Sequence, residues 1–88
     1  MNGNIYINGV IGTFLDEAGE VLEKGVELID VIMQVRNQPQ ATSYTMYIDS
    51  PGGYVHTGYE IYDYLKGLNK PINTVGQGIV GSMGTVLF

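Results

Sequence analysis

The stretch SYTMYIDSPGGY, from Ser43 to Tyr54, decides how this chain is expected to fold. Its first part, Ser43 to Asp49, is rich in β-branched and aromatic residues, which is typical of a strand. The rest, Ser50 to Tyr54, contains a proline and two adjacent glycines, so the strand ends in a sharp turn. A tight strand-to-helix turn explains these glycines, and so does an oxyanion hole, which needs backbone N–H groups that no side chain obstructs.

A helix is predicted before this strand, from Val26 to Val35. Polar residues recur there at spacings of three and four while nearly all the others are apolar, which is typical of a helix with a narrow solvent-facing stripe. Pro39 ends the helix, because proline cannot continue the hydrogen-bond ladder. The stripe consists of Glu27, Asp30 and Gln34.

The first strand is predicted from Asn4 to Gly12, where the side chains of Ile5, Ile7 and Val10 are expected to face inward. The connection that follows it, TFLDEAGEVLEK, is polar and interrupted by glycine. Its conformation is not predicted.

A second helix is predicted after the glycine turn, from Gly58 to Leu68. Thr57 and Glu60 have the spacing of a capping box, in which both side chains bind backbone N–H groups at a helix start. A third strand is expected from Pro71 to Gln77, and the closing GSMGTVLF is expected to begin a third helix. The order β-α-β-α-β-α predicts an α/β fold with parallel strands and right-handed crossovers in a single domain over residues 1–88.

A second glycine turn, Gly78 to Gly84, follows the third strand and contains Ser82. Ligands collect at the carboxyl ends of parallel strands, so the two turns are expected to face one crevice. Ser82 would lie at a helix N-terminus, where developing negative charge is favoured, although a plain N-cap role explains a serine there as well. Val80 rules out the Gly-x-Ser-x-Gly elbow. His56, the only histidine, is interpreted as a surface residue and not as a base for Ser82.

Composition excludes several classes of function. The net charge is −5 with only four Lys and Arg residues, which disfavours nucleic-acid binding. Apolar residues make up 44% of the chain, but no stretch approaches the roughly 20 apolar residues of a membrane span. The absence of cysteine excludes disulfides and thiolate metal sites, and no metal site is predicted. The N-terminus has no basic run before its apolar segment, so no secretory signal is expected and a cytoplasmic location is predicted.

The segment YIDSPGGYVHTGYEIYDYLKGLNKPINTVGQGIVGSMG, from Tyr47 to Gly84, resembles the ClpP family of serine peptidases. That family has an INSPGG turn, a helix containing IYD, a KP turn into a strand and an ASMG around its nucleophile, in the same order. Asp49 stands where the family usually has Asn, and residues 79–81 replace the familiar QAA. These departures indicate a phage-type or otherwise divergent member with a ClpP/crotonase-like fold.

The resemblance implies roles for six residues. Ser82 would be the nucleophile, and the backbone amides of Gly53 and Met83 would form the oxyanion hole. The edge formed by Gly52, Tyr54 and Val55 would bind an extended peptide or protein substrate by strand addition. No cofactor is implied for the chain itself, and ATP would enter only through a partner AAA+ unfoldase. A homo-oligomeric ring is also implied.

The family's histidine base and its aspartate lie beyond the nucleophile helix, in sequence that this chain does not contain. Without a base, a serine hydroxyl is a poor nucleophile at neutral pH. The resemblance therefore implies an N-terminal fragment, incomplete at its C-terminus and inactive alone. Two alternatives stay open: a crotonase-type acyl-CoA enzyme, which would use similar backbone amides on a thioester enolate, and a non-catalytic assembly subunit.

Overall fold

A computed structural model describes residues 1–81 and Leu87, and these residues form two helices, a three-stranded sheet and a short hairpin. The sheet has the order β1-β4-β5 and both of its strand pairs are parallel, which confirms the predicted α/β architecture. In chain order the elements are β1 (Asn2–Asn8), β2 (Phe14–Leu15), β3 (Val21–Glu23), α1 (Leu28–Arg36), β4 (Ser43–Ser50), α2 (Val55–Gly67) and β5 (Ile72–Val80).

The core lies on one face of the sheet, where alternate residues of β1 and β4 are buried. Ile5 and Ile7 are fully buried, as the alternation in the sequence predicts, whereas Val10 is only half-buried. The helices contribute Val31, Ile61 and Leu65 to the same core. The remaining buried apolar residues are Ile11, Ala41, Tyr44, Met46, Ile48 and Leu87.

β1 ends at Asn8, four residues before the predicted boundary at Gly12. Gly9 and Gly12 have φ angles of +89° and +88°, which interrupt a regular strand. Ile11 between them makes two isolated parallel bridges instead, to Val26 and to Gly53. The chain therefore leaves the sheet and forms a short separate connection beside the first glycine turn.

The connection without a predicted conformation contains an antiparallel hairpin of β2 and β3. The Asp16 carboxylate accepts the N–H groups of Ala18 and Glu20 at 2.9 and 2.8 Å. Gly19, with φ +82°, completes the turn. The motif Asp-x-x-Gly was the available signal, because Asp side chains bind backbone two residues on and glycine accepts positive φ.

Helix α1 begins two residues after the predicted start, because the Asp30 carboxylate accepts the Glu27 N–H at 2.8 Å. The predicted polar stripe is not simply solvent-facing. The Gln34 side chain accepts the N–H of Tyr6 at 2.7 Å and donates to its carbonyl at 3.0 Å. Gln38 makes the same pair of bonds with Asn4, both at 2.7 Å. Two glutamine amides thus satisfy the exposed edge of β1 as a neighbouring strand would.

The predicted capping box of α2 is wrong. The helix starts at Val55, its N-cap is Tyr54, and Thr57 is a buried residue of the first turn. The Tyr54 carbonyl accepts the Gly58 N–H at 3.1 Å, so the helix follows the glycine turn without an intervening segment. Neither helix in the described part of the chain has the length and hydropathy that a membrane span requires.

β5 continues to Val80, three residues beyond the predicted end, and so includes the first three residues of the predicted second turn. An irregularity makes this possible. Ile48 pairs with Gly76 and Ser50 with Val80, so β5 has two more residues than β4 at this point. The predicted third helix lies outside the described residues except for Gly81 and Leu87.

Candidate active site

The first glycine turn leaves the carboxyl end of the central strand β4. Ser50, its last residue, is fully buried, and its hydroxyl accepts the Gly52 N–H at 3.0 Å. Gly52 has φ +106°, a conformation that side chains rarely adopt. Ser50 and Gly52 therefore hold the turn in a bend that the strand alone would not make.

Gly53 is pressed against the backbone of Ile11. The Ile11 N–H donates to the Gly52 carbonyl at 2.9 Å, and the Tyr54 N–H donates to the Ile11 carbonyl at 2.8 Å. A Cβ atom at position 53 would lie 2.7 Å from both the carbonyl carbon and the nitrogen of Ile11, and closer still to its oxygen. Only glycine fits this approach.

The N–H and carbonyl of Gly53 point away from Ile11, toward the opposite edge of this segment. The Gly52 carbonyl and the Tyr54 N–H are directed toward Ile11, and the backbone groups of successive residues in an extended segment alternate between its two edges. Within residues 1–81 and Leu87, no partner accepts the Gly53 N–H or donates to its carbonyl. An outward N–H with no internal acceptor is the type of group that an oxyanion hole requires.

The second turn begins beside the first. Val80 pairs with Ser50, and the Gly81 N–H donates to the Ser50 carbonyl at 2.9 Å. A Cβ at Gly81 would lie 3.2 Å from the Pro51 carbonyl oxygen. β4 and β5 thus end at the same edge of the sheet, and Gly81 lies beside Ser50 and Pro51 of the first glycine turn. Ser82 and Met83, the predicted nucleophile and second oxyanion donor, lie outside the described residues.

The residues predicted to bind substrate lie together, but they differ in conformation. Tyr54 is extended, half of its surface is exposed, and its ring packs edge-on against Phe14 with centroids 4.8 Å apart. Val55 is exposed and is the first residue of α2, so the extended edge consists of Gly53 and Tyr54. The backbone of Ile11, which supports this edge, was missed because a main-chain contact has no signature in the sequence.

His56 lies on the surface. Its side chain is 87% exposed, and its nearest acidic group is the Glu60 carboxylate, with 3.7 Å between Nε2 and Oε2. It follows Val55 on the first turn of α2. Among residues 1–81 and Leu87, no three His, Asp or Glu side chains form a cluster that could bind a metal ion.

Comparison with known proteins identifies the family of this chain. A family model described as Clp protease matches residues 12–88. The ATP-dependent Clp protease proteolytic subunit of Pleurastrum terricola is 31% identical over 70 residues, which are 78% of this chain and 36% of that protein. The ATP-dependent Clp protease proteolytic subunit 2 of Treponema pallidum is 45% identical over 42 residues, which are 48% of this chain and 21% of that protein.

Solved structures give the same result for the fold. The ClpP protease catalytic domain from Plasmodium falciparum has a TM-score of 0.69 at 24% identity and covers 96% of this chain, which matches 42% of that domain. A ClpP1 mutant from Listeria monocytogenes has a TM-score of 0.70 at 28% identity over 97% of this chain and 44% of its own. The chain spans less than half the length of each of these proteins. Because the Clp protease family model matches most of the sequence, residues 12–88, the chain belongs to the Clp protease family.

Proposed function

We propose that this chain is the N-terminal part of a serine endopeptidase subunit, in which Ser82 attacks the peptide carbonyl and the N–H groups of Gly53 and Met83 bind the oxyanion. The observation that carries the proposal is the N–H of Gly53, which has no acceptor among residues 1–81 and Leu87 and which Ile11 holds in the turn that Gly81 adjoins. A helix N-terminus after residue 81 would add to the stabilisation of negative charge there.

The reaction would proceed in two steps. The Ser82 hydroxyl loses its proton to a base while its oxygen bonds to the carbonyl carbon, and the resulting oxyanion is stabilised by the two amides. The carbon–nitrogen bond then breaks, the amine takes the proton, and an acyl-enzyme remains, which water hydrolyses. The base and its orienting carboxylate would be the family's histidine and aspartate, supplied by sequence that follows Phe88 in a longer polypeptide.

Substrate would bind by adding a strand to the edge of Gly53 and Tyr54, with its main-chain bonds to the N–H and carbonyl of Gly53, because both polar backbone groups of Tyr54 bond within the chain. In an added strand, main-chain hydrogen bonds supply affinity regardless of side chains, which suits a peptidase that acts on many sequences. Gly52 contributes by bending the chain away from β4. Val55, exposed at the start of α2, would contact a substrate side chain.

The relatives named as ATP-dependent proteolytic subunits suggest the partners. We propose a homo-oligomeric ring in the cytoplasm, fed by an AAA+ unfoldase that consumes the ATP. Sedimentation of the full-length protein would measure the ring, and ATP-dependent degradation of a folded substrate would identify an unfoldase.

The decisive experiment treats the full-length protein with a serine-directed fluorophosphonate and assays a fluorogenic peptide. Ser82→Ala should abolish both labelling and peptide hydrolysis. Ser43→Ala is the matched control, because among residues 1–81 and Leu87 that hydroxyl bonds only the Asn2 side chain, at the start of β4. If Ser82→Ala labelled and cleaved like wild type, the peptidase proposal would be rejected. A wild type without labelling would point to the non-catalytic subunit, or to the acyl-CoA enzyme if it bound coenzyme A thioesters.

A further inference from the structure

We propose that Asp49 is a positioning residue for the segment that carries Ser82. This inference rests on the proposed peptidase function. The Asp49 carboxylate accepts the N–H of Ile79 at 3.0 Å, in the neighbouring strand and three residues before Ser82. Asp49 would act on the nucleophile through the path of the backbone and would touch neither substrate nor reacting atoms.

The bond falls where the sheet is irregular. Between the pairs Ile48–Gly76 and Ser50–Val80, β5 contains two residues more than β4, so the ladder cannot satisfy every backbone group of the bulge. The N–H of Ile79 is one of those groups, and the Asp49 carboxylate binds it. A hydrogen bond to a carboxylate is stronger than one to a neutral acceptor, so one side chain can hold the bulge in place.

Asp49 is itself well anchored. It pairs with Asn8 across the central and edge strands, and its carbonyl accepts the Gly9 N–H at 3.0 Å. The carboxylate also occupies the space over Gly78, where a Cβ would lie 2.8 Å from Oδ1. Gly78 has φ +64°. The absence of a side chain at Gly78 thus leaves room for the Asp49 carboxylate to reach the Ile79 N–H.

The direction of β5 decides where position 82 lies. Immediately after the bulge, Val80 returns to the ladder and Gly81 bonds to the Ser50 carbonyl. Without the Asp49 bond, the bulge can relax, and Val80 and Gly81 shift relative to the first glycine turn. The peptide-binding edge at Gly53 is supported by Ile11 and stays in place. Loss of the bond should therefore lower kcat and leave KM nearly unchanged.

The test compares variants of the full-length protein by kcat and KM on a peptide, by the rate of fluorophosphonate labelling and by thermal unfolding. Asp49→Ala removes the acceptor, and kcat and the labelling rate should fall about 10- to 100-fold, the cost of misplacing a catalytic group by about 1 Å. KM should change by less than about twofold. Asp49→Asn keeps an amide oxygen as acceptor and should restore kcat to within about threefold of wild type. Asp63→Ala is the control, since it removes an exposed carboxylate from α2.

Gly78→Ala is a second, independent test if Asp49→Ala does not fold. The methyl group of the new alanine would push the Asp49 carboxylate away from the Ile79 N–H. This variant should give the same loss of kcat. A wild-type kcat in Asp49→Ala or Gly78→Ala would overturn the proposal. So would an Asn variant that is as stable as wild type but as slow as the Ala variant, because an acceptor at position 49 would then not position the nucleophile. A reactive wild type with an unaffected Asp49→Ala refutes only the positioning role. An unreactive wild type refutes the peptidase proposal and this one together.

Discussion

Replacing Gly53 with alanine tests the close contact on which the first turn depends. The new Cβ would lie 2.7 Å from two backbone atoms of Ile11, whereas ordinary contacts begin at 3.4 Å. One segment must therefore move by more than about 0.7 Å, because the Ile11 carbonyl oxygen would be closer still to the new Cβ. All three atoms of Ile11 nearest to the new Cβ belong to the backbone, so no flexible side chain can move aside to make room.

The expected cost follows from the bonds that such a shift disturbs. The Ile11–Gly52 and Tyr54–Ile11 hydrogen bonds, at 2.9 and 2.8 Å, hold the two segments together. Each contributes roughly 1 kcal/mol net, and inserting a methyl group into a tightly packed site costs about 1–3 kcal/mol. Because part of the hydrogen bonding survives a small shift, we expect Gly53→Ala to lower the free energy of unfolding by about 2–4 kcal/mol.

Urea unfolding followed by circular dichroism measures this loss, with Gly67→Ala in the same polypeptide as control. Gly67 is the last residue of α2, and a Cβ there meets no atom within 4 Å. The control should be neutral or stabilising by up to about 1 kcal/mol, because alanine favours helix more than glycine does. Equal midpoints for Gly53→Ala and Gly67→Ala would refute the close approach of Gly53 to Ile11.

Three further substitutions follow from the same geometry. Gln38→Ala leaves the edge of β1 without two hydrogen bonds; it should cost about 1–2 kcal/mol of unfolding free energy and increase self-association in sedimentation, whereas the exposed Gln40→Ala should do neither. Gly52→Ala places a side chain at φ +106° and should cost about 1–3 kcal/mol in urea unfolding, and a wild-type midpoint would contradict that backbone conformation. Ile61→Ala should cost about 2–5 kcal/mol because Ile61 is fully buried, whereas Ile29→Ala, at a position 57% exposed, should stay within about 0.5 kcal/mol; similar losses would contradict the described core.

Much of the fold could be predicted because its signals lie within short segments. The alternation in β1 placed Ile5 and Ile7 inward, and the order of elements indicated parallel strands. The turn Ser50 to Gly53 was identified from its proline and glycines, and those glycines proved to be required by a positive φ and by the contact with Ile11. The roles of Ser82 and Met83 stay predictions.

The errors share a cause, which is that local signals compete with contacts distant in sequence. Thr57 and Glu60 have the spacing of a capping box, yet α2 starts at Val55 because Ile11 holds the Tyr54 backbone where the helix begins. The polar spacing in α1 predicts that Gln34 faces solvent, but its amide pairs with Tyr6, 28 positions earlier.

The sequence by itself therefore determined the two helices, the three sheet strands and their order, because periodicity and backbone preference depend on neighbouring residues. Only the tertiary structure decided which backbone groups are used internally and which face outward. That choice leaves the Gly53 N–H without an acceptor among the described residues and commits the Asp49 carboxylate to Ile79, 30 positions away. A hydrogen bond forms wherever folding brings its two partners together, and a contact between residues far apart in sequence cannot be predicted from the pattern of either segment.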